Sequence, residues 1–182
     1  MKRKIALVAW MMASIAFTAC QQKSNNATEE TATDSIPAAE AVDEVMMPDV
    51  TIEKADGTTL QLSSLFGKVL YLDFWATWCP PCCAEIPHLA TLHGKFADNP
   101  DVRIISVSVD QDRDAWVKKI TEDKPAWEQY RVAAEDTEAF FKAINLEFIP
   151  RFIIVGADGK ILNIEAPRPS EEGSVTAIEQ AI

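Results

Sequence analysis

Residues 73 to 87 read Asp73-Phe74-Trp75-Ala76-Thr77-Trp78-Cys79-Pro80-Pro81-Cys82-Cys83-Ala84-Glu85-Ile86-Pro87. They follow from Val69 to Trp75, a short and nearly continuous apolar run of the kind a buried central strand requires. Pro80 or Pro81 opens a helix, because the first turn needs no amide donor there, and Ile86, Leu89, Ala90, His93 and Phe96 then recur at helical spacing. A C-x-x-C pair between a strand and a helix start puts the first sulfur near the positive end of the helix dipole, which stabilises its thiolate. Cys79 is therefore the expected nucleophile. Cys82, inside the first turn, is close enough to attack a mixed disulfide on Cys79 and release the partner. Zinc is the competing use of such a pair, but a closed site needs a second Cys or His pair. The two histidines, His88 and His93, both sit on the same helix beyond the motif. Cys83 differs by about 100° in helical direction from Cys82 and reads as a small helix-borne hydrophobe rather than a third redox thiol.

Outward from this segment, strand-like and helix-like patterns alternate. Val50-Thr51-Ile52 and Leu60-Gln61-Leu62 flank Asp56-Gly57, a turn signal that predicts an N-terminal β-hairpin. Val102 to Val109 is a second buried strand, and Asp112 to about Glu122 a short helix with Trp116, Val117 and Ile120 on one face. Asp136 to Ile144 offers Phe140, Phe141 and Ile144 as another helix. Arg151 to Val155 and Lys160 to Glu165 are strands joined by Asp158-Gly159, and Glu171 to Ile182 closes the chain as a helix. The pattern predicts an α/β fold with a mixed central sheet.

From about Met47 to Ile182 the chain resembles the thioredoxin-like exported thiol-disulfide oxidoreductases, in the membrane-tethered branch similar to the TlpA and ResA proteins. Phe74 to Cys82, the later Glu85-Ile86-Pro87, Gly67-Lys68 ahead of the strand and the Asp158-Gly159 hairpin carry that resemblance. It implies a thioredoxin fold, with helices flanking the central sheet and a cis-proline facing the cysteines. Ile149-Pro150 fits that place, since it directly precedes a strand and X-Pro bonds adopt cis at modest cost. Two positions depart from the family pattern: Arg151 stands where many relatives have Thr, which would put a cation beside the groove, and Cys83 adds a thiol.

Asp73 lies six residues before Cys79, the spacing of the buried acid in thioredoxins. Tyr71, Asp73 and Trp75 should share one face of the strand, where an unpaired carboxylate is expensive. A desolvated Asp73 has a raised pKa and takes the proton from Cys82 during resolution. Glu85 matches the acid that such reductases place one turn past the second cysteine; a helix-surface residue is the other reading. Trp78, together with Pro80, Pro81, Ile149 and Pro150, is expected to form the substrate groove, with Trp78 an apolar platform for a partner's chain. Trp75 reads as packing.

The chain has 182 residues, 48% of them apolar and 25% charged, with 17 basic against 28 acidic residues and a formal charge of −11. The acidic balance makes nucleic acid and anionic lipid headgroups poor partners. Lys2, Arg3 and Lys4 precede an uncharged run, Ile5 to Ala19, of 15 residues. That is shorter than the roughly 20 needed to span a bilayer as a helix, and residues 1–19 read as an export signal. Phe17-Thr18-Ala19-Cys20 resembles a lipobox, although Phe17 replaces the usual Leu; Cys20 would then be lipidated, leaving the protein tethered to a membrane surface. Residues 20–47 lack apolar periodicity and read as a flexible acidic tether. Asp34-Ser35-Ile36 looks like a bacterial O-glycosylation acceptor. Gln21 after the cysteine resembles outer-membrane sorting, so the expected location is the envelope, facing the periplasm from either membrane. Residues 48–182 form the thioredoxin-like domain.

The resemblance thus implies a membrane-tethered oxidoreductase that exchanges, and in the expected direction reduces, disulfides in exported proteins, apo-cytochrome c among them. A membrane thiol reductase would supply electrons, and no organic cofactor or metal is implied. Two rivals use the same fold. A thiol peroxidase carries its peroxidatic cysteine without a partner three residues on, and a copper chaperone needs a distal His, whereas no His follows His93.

Overall fold

A computed structural model of the chain describes residues 44–133 and 137–182, all within the compact unit Glu40–Ile182. The expectations for the signal, Cys20, Asp34-Ser35-Ile36 and most of the tether lie outside the described residues. In chain order the elements are β1 (Thr51–Glu53), β2 (Thr59–Gln61), β3 (Val69–Trp75), α1 (Pro80–Phe96), β4 (Val102–Ser108), α2 (Arg113–Asp123), β5 (Glu128–Val132), α3 (Thr137–Ala143), β6 (Arg151–Val155), β7 (Ile161–Asn163) and α4 (Gly173–Glu179). The strands form one mixed sheet in the order β2-β1-β5-β4-β3-β6-β7. β3 pairs parallel with β4 and antiparallel with β6, and β4 pairs parallel with β5. This is the expected thioredoxin-like architecture.

The period of two along β3 distributes its side chains between the two faces. Leu70, Leu72 and Phe74 join Ile105, Val107, Ile153, Phe140 and Ile144 in a core under α3. Val69 and Tyr71 join Leu89, Leu92, Phe96, Phe152, Ile154 and Ile178 under α1 and α4. Trp75 instead packs with Ala76, Cys79, Cys82 and Trp116, so the end of β3 carries the cysteines on a small apolar cluster of their own. Asp112 caps α2, accepting from the N–H groups of Asp114 and Ala115.

The structure departs from the sequence reading in several places. β5 was not expected, and it inserts between β4 and β1, so the N-terminal hairpin is continuous with the central sheet through Ile52 opposite Val132. The buried stripe of α1 is Cys82, Glu85, Leu89, Leu92 and Phe96; Ala90 faces solvent because Leu92, one turn before Phe96, takes the inward position. β7 and α4 are shorter than expected, and Ile182 is exposed. The expected start of α3, Asp136, lies outside the described residues. Upstream, Met47 N–H donates to Gly159 O at 2.8 Å and Glu44 pairs with Lys160 at 3.0 Å, so the chain is already joined to the β6–β7 turn there. Gly159 in that turn has φ +88°, and a Cβ would meet Phe66 Cε2 at 2.6 Å, so no larger residue fits.

Candidate active site

The loop from β3 to α1 delivers Cys79 to the N-cap of the helix, with Pro80 and Pro81 as its first residues. Proline costs nothing there, and the sulfur takes the place of a capping oxygen: Cys82 N–H donates to Cys79 Sγ at 3.3 Å. Cys79 and Cys82 form a disulfide with Sγ–Sγ 2.03 Å and Cα–Cα 5.3 Å. Both are buried, on Trp75, Ala76 and Trp116. The Ile149–Pro150 peptide is cis, and the Ile149 carbonyl oxygen lies 3.9 Å from Cys79 Sγ. Opening of the disulfide would leave Cys79 as a thiolate facing a helix N–H, the arrangement that depresses a thiol's pKa.

Beside the disulfide the surface is apolar and open. Trp78 is 65% exposed and Phe148 73%. With Val109, Phe141, Leu146 and Ile149 they line a groove of about 250 Å³. The sequence reading placed Trp78 and Ile149 here; Phe148, Phe141 and Leu146 were not among its groove residues, although Phe148-Ile149-Pro150 is contiguous. Arg151 turns away from the groove, its guanidinium 3.1 Å from Glu165 and 3.4 Å from Ile164 O. Cys83 is partly buried, with its thiol donating to Thr77 O at 3.8 Å.

The turn before Cys79 is held by Asp110, a residue not singled out from the sequence. Thr77 N–H donates to Asp110 Oδ2 at 3.0 Å, Thr77 Oγ1 to Oδ1 at 2.7 Å and Ser108 Oγ to Oδ2 at 2.7 Å. Arg131 Nη1 donates to the Asp110 carbonyl at 2.9 Å while its Nε pairs with Glu53 at 2.6 Å. The unexpected β5 and the hairpin thus brace the active-site turn. The available signal was Ser108, a polar residue ending an apolar strand two positions before Asp110.

Asp73 is buried in β3, on the face that also carries Tyr71 and Trp75. Ser106 Oγ donates to its Oδ2 at 2.7 Å, and Trp127 Nε1 donates to Ser106 Oγ at 2.8 Å. Burial pushes the Asp73 carboxyl up to about 7; the Ser106 hydrogen bond opposes this and the Glu85 charge adds to it. Glu85 is buried too, not a surface residue of α1. It accepts from Ser170 N–H at 3.1 Å and Ser170 Oγ at 2.8 Å, which ties the helix to the segment ahead of α4. Tyr71 OH donates to Pro167 O at 2.6 Å, and burial raises its phenol strongly. Among the described residues no group of three or more His, Cys, Asp or Glu is gathered as metal ligands, and no helix is long and apolar enough to cross a membrane.

The chain is similar to known proteins along most of this domain. The Redoxin family pattern matches residues 41–182. The ResA thiol-disulfide oxidoreductase of Bacillus subtilis is 26% identical over 117 residues, which cover 64% of this chain and 63% of that protein. The one from Oceanobacillus iheyensis is 47% identical over 58 residues, 32% of this chain and 30% of that protein. The chain therefore spans less than two thirds of these relatives. A crystal structure of a candidate thiol-disulfide oxidoreductase from Bacteroides vulgatus has TM-score 0.69 and 32% identity, covering 75% of this chain and 94% of that one. The thioredoxin domain of a second thiol-disulfide oxidoreductase from that organism has TM-score 0.67 and 26% identity, covering 77% and 98%. With a Cys79–Cys82 disulfide at a helix start beside the cis Ile149–Pro150 bond, the chain belongs to the Redoxin family, as a thioredoxin-fold member of the TlpA/ResA-like branch.

Proposed function

We propose that the protein is an extracytoplasmic thiol-disulfide oxidoreductase that reduces disulfides in exported clients. The observation that carries this reading is the Cys79–Cys82 disulfide capping α1, one sulfur 3.9 Å from Ile149 O beside an open apolar groove. In the reduced protein the Cys79 thiolate attacks a client disulfide, forming a mixed disulfide and releasing one client thiolate. Asp73 then takes the Cys82 proton, the Cys82 thiolate attacks Cys79 Sγ, and the second client thiolate leaves as the Cys79–Cys82 bond forms. Two electrons pass to the client, and a membrane thiol reductase restores the pair. Glu85 acts through its charge on Asp73. Trp78, Pro80, Pro81, Ile149 and Pro150 line the path of the client's chain, whose apolar residues rest on Trp78 and Phe148.

Reduction is the favoured direction because Pro80-Pro81 places neither a His nor another cation between the sulfurs to over-stabilise the thiolate. Apo-cytochrome c is one client class that fits this direction. Cys20 carries the lipid anchor, and residues 20–47 give the domain reach. Titration of the Cys79–Cys82 pair against a thiol buffer tests the direction: the expected potential lies near about −270 mV, the thioredoxin range, and one near about −120 mV would make the protein an oxidant. Fatty-acid labelling should be lost in Cys20→Ala; labelling that persists would contradict Cys20 as the lipidated residue.

A further inference from the structure

Asp73, Ser106 and Gln129 stand side by side across β3, β4 and β5. Register partners in a parallel ladder point to the same face, so the three side chains form a polar row. The row lines a small pocket of about 20 Å³, room for about one water, closed by Trp75, Ile86, Ile120 and Trp127 and bordered by Asp123 of α2. Trp75, Ile86 and Ile120 also pack with Cys79 and Cys82, so this pocket lies one layer of side chains from the disulfide. On two of the lining residues, the atoms Trp75 Nε1 and Gln129 Oε1 are buried without a hydrogen-bond partner among the described residues. One donates and the other accepts. Such atoms are rarely left unpaired, and where there is room a water making roughly two to four hydrogen bonds is their usual partner. Gln129 is only half-buried, and Asp123, ion-paired with Lys119, is partly exposed, which gives the row a way out to solvent.

We propose that this pocket is a proton port: water held by Trp75 Nε1 and Gln129 Oε1 carries the proton that Asp73 takes from Cys82 out past Asp123. The inference rests on Asp73 being the base of the resolving step. In each turnover Cys82 loses its proton to Asp73, the sulfurs exchange as above, and Asp73 returns its proton through the port, ready for the next cycle. Ser106 donates to the carboxylate and is itself held by the Trp127 indole N–H. The charged and titratable groups around Asp73 are Tyr71 on β3, Glu85 and Cys82 on α1, and Lys119 and Asp123 on α2; burial raises Asp73, and Glu85 adds to the effect.

One test uses the unaltered protein. The indole N–H of Trp116 is also buried and unpaired but lies outside the pocket. The Trp75 indole proton should exchange with solvent at least about tenfold faster than that of Trp116 in NMR; equal exchange would overturn the port. The second test follows the resolving step by stopped-flow with oxidised glutathione, in water and in deuterated water. Gln129→Met, close in size, should slow it about tenfold and enlarge the solvent isotope effect, while Gln129→Glu, which keeps an oxygen in place, should restore most of the rate. A packing role would leave the two variants alike. If Asp73→Asn is slow and Gln129→Met is not, the port is refuted and the base stands; if Asp73→Asn matches wild type, the base and the port fall together.

Discussion

Asp73 and Asp110 are both buried, and their surroundings differ. Asp110 accepts hydrogen bonds from Thr77 N–H, Thr77 Oγ1 and Ser108 Oγ. Asp73 accepts one, from Ser106, among the described residues, and shares its region with Glu85. A buried carboxylate with several donors holds structure; one with a single donor keeps its proton readily and is suited to passing it on. The same residue type thus clamps the turn before Cys79 and, in the function proposed above, serves as a base behind it.

Stability against pH reads the Asp73 proton most sharply. Burial holds the folded Asp73 carboxyl at about 7, well above its ordinary 3.8, so the folded oxidised protein binds this proton more tightly than the unfolded chain. That contribution is complete below about pH 4 and is lost as pH rises through about 7. Asp73→Asn, which mimics the protonated form, should therefore match wild type in urea denaturation below about pH 4 and exceed it by on the order of 4 kcal/mol above about pH 7. An Asp73→Asn curve that runs parallel to wild type at every pH would mean that Asp73 holds no such proton.

The kinetic contrast comes next. Asp73→Asn should slow the resolving step about 100-fold at neutral pH, the lower end of what a general base supplies, without weakening formation of the mixed disulfide. Asp110→Asn should instead cost about 1–3 kcal/mol of stability, because one amide cannot accept from all three donors, and should affect both half-reactions alike. A selective loss of resolution in Asp110→Asn would erase the distinction. Ser106→Ala has the smallest effect: without its hydrogen bond Asp73 rises further, and the pH profile of the resolving step moves to higher pH while the fold is kept.

Local pattern made some of this legible. Val69 to Trp75 is apolar enough to announce a central strand, Pro80-Pro81 marks the helix start, and six residues separate Asp73 from Cys79. The environment of Glu85 was not legible, because its partner Ser170 stands 85 residues away. β5 escaped because Glu128, Gln129 and Arg131 interrupt Tyr130 and Val132; in the fold those charges are paired with Arg103 and Glu53, which no local pattern reveals. Asp110 follows an apolar strand and reads as an ordinary turn residue until Thr77 is brought against it. The orphaned Trp75 Nε1 and Gln129 Oε1 likewise exist only once β3 and β5 flank β4.

The central claim is that Cys79 attacks and Cys82 resolves. Reduced Cys82→Ser protein mixed with insulin and quenched with acid should carry one insulin chain in disulfide linkage, mapped by peptide mass analysis to Cys79. Linkage to Cys83, or no linked species, would contradict it.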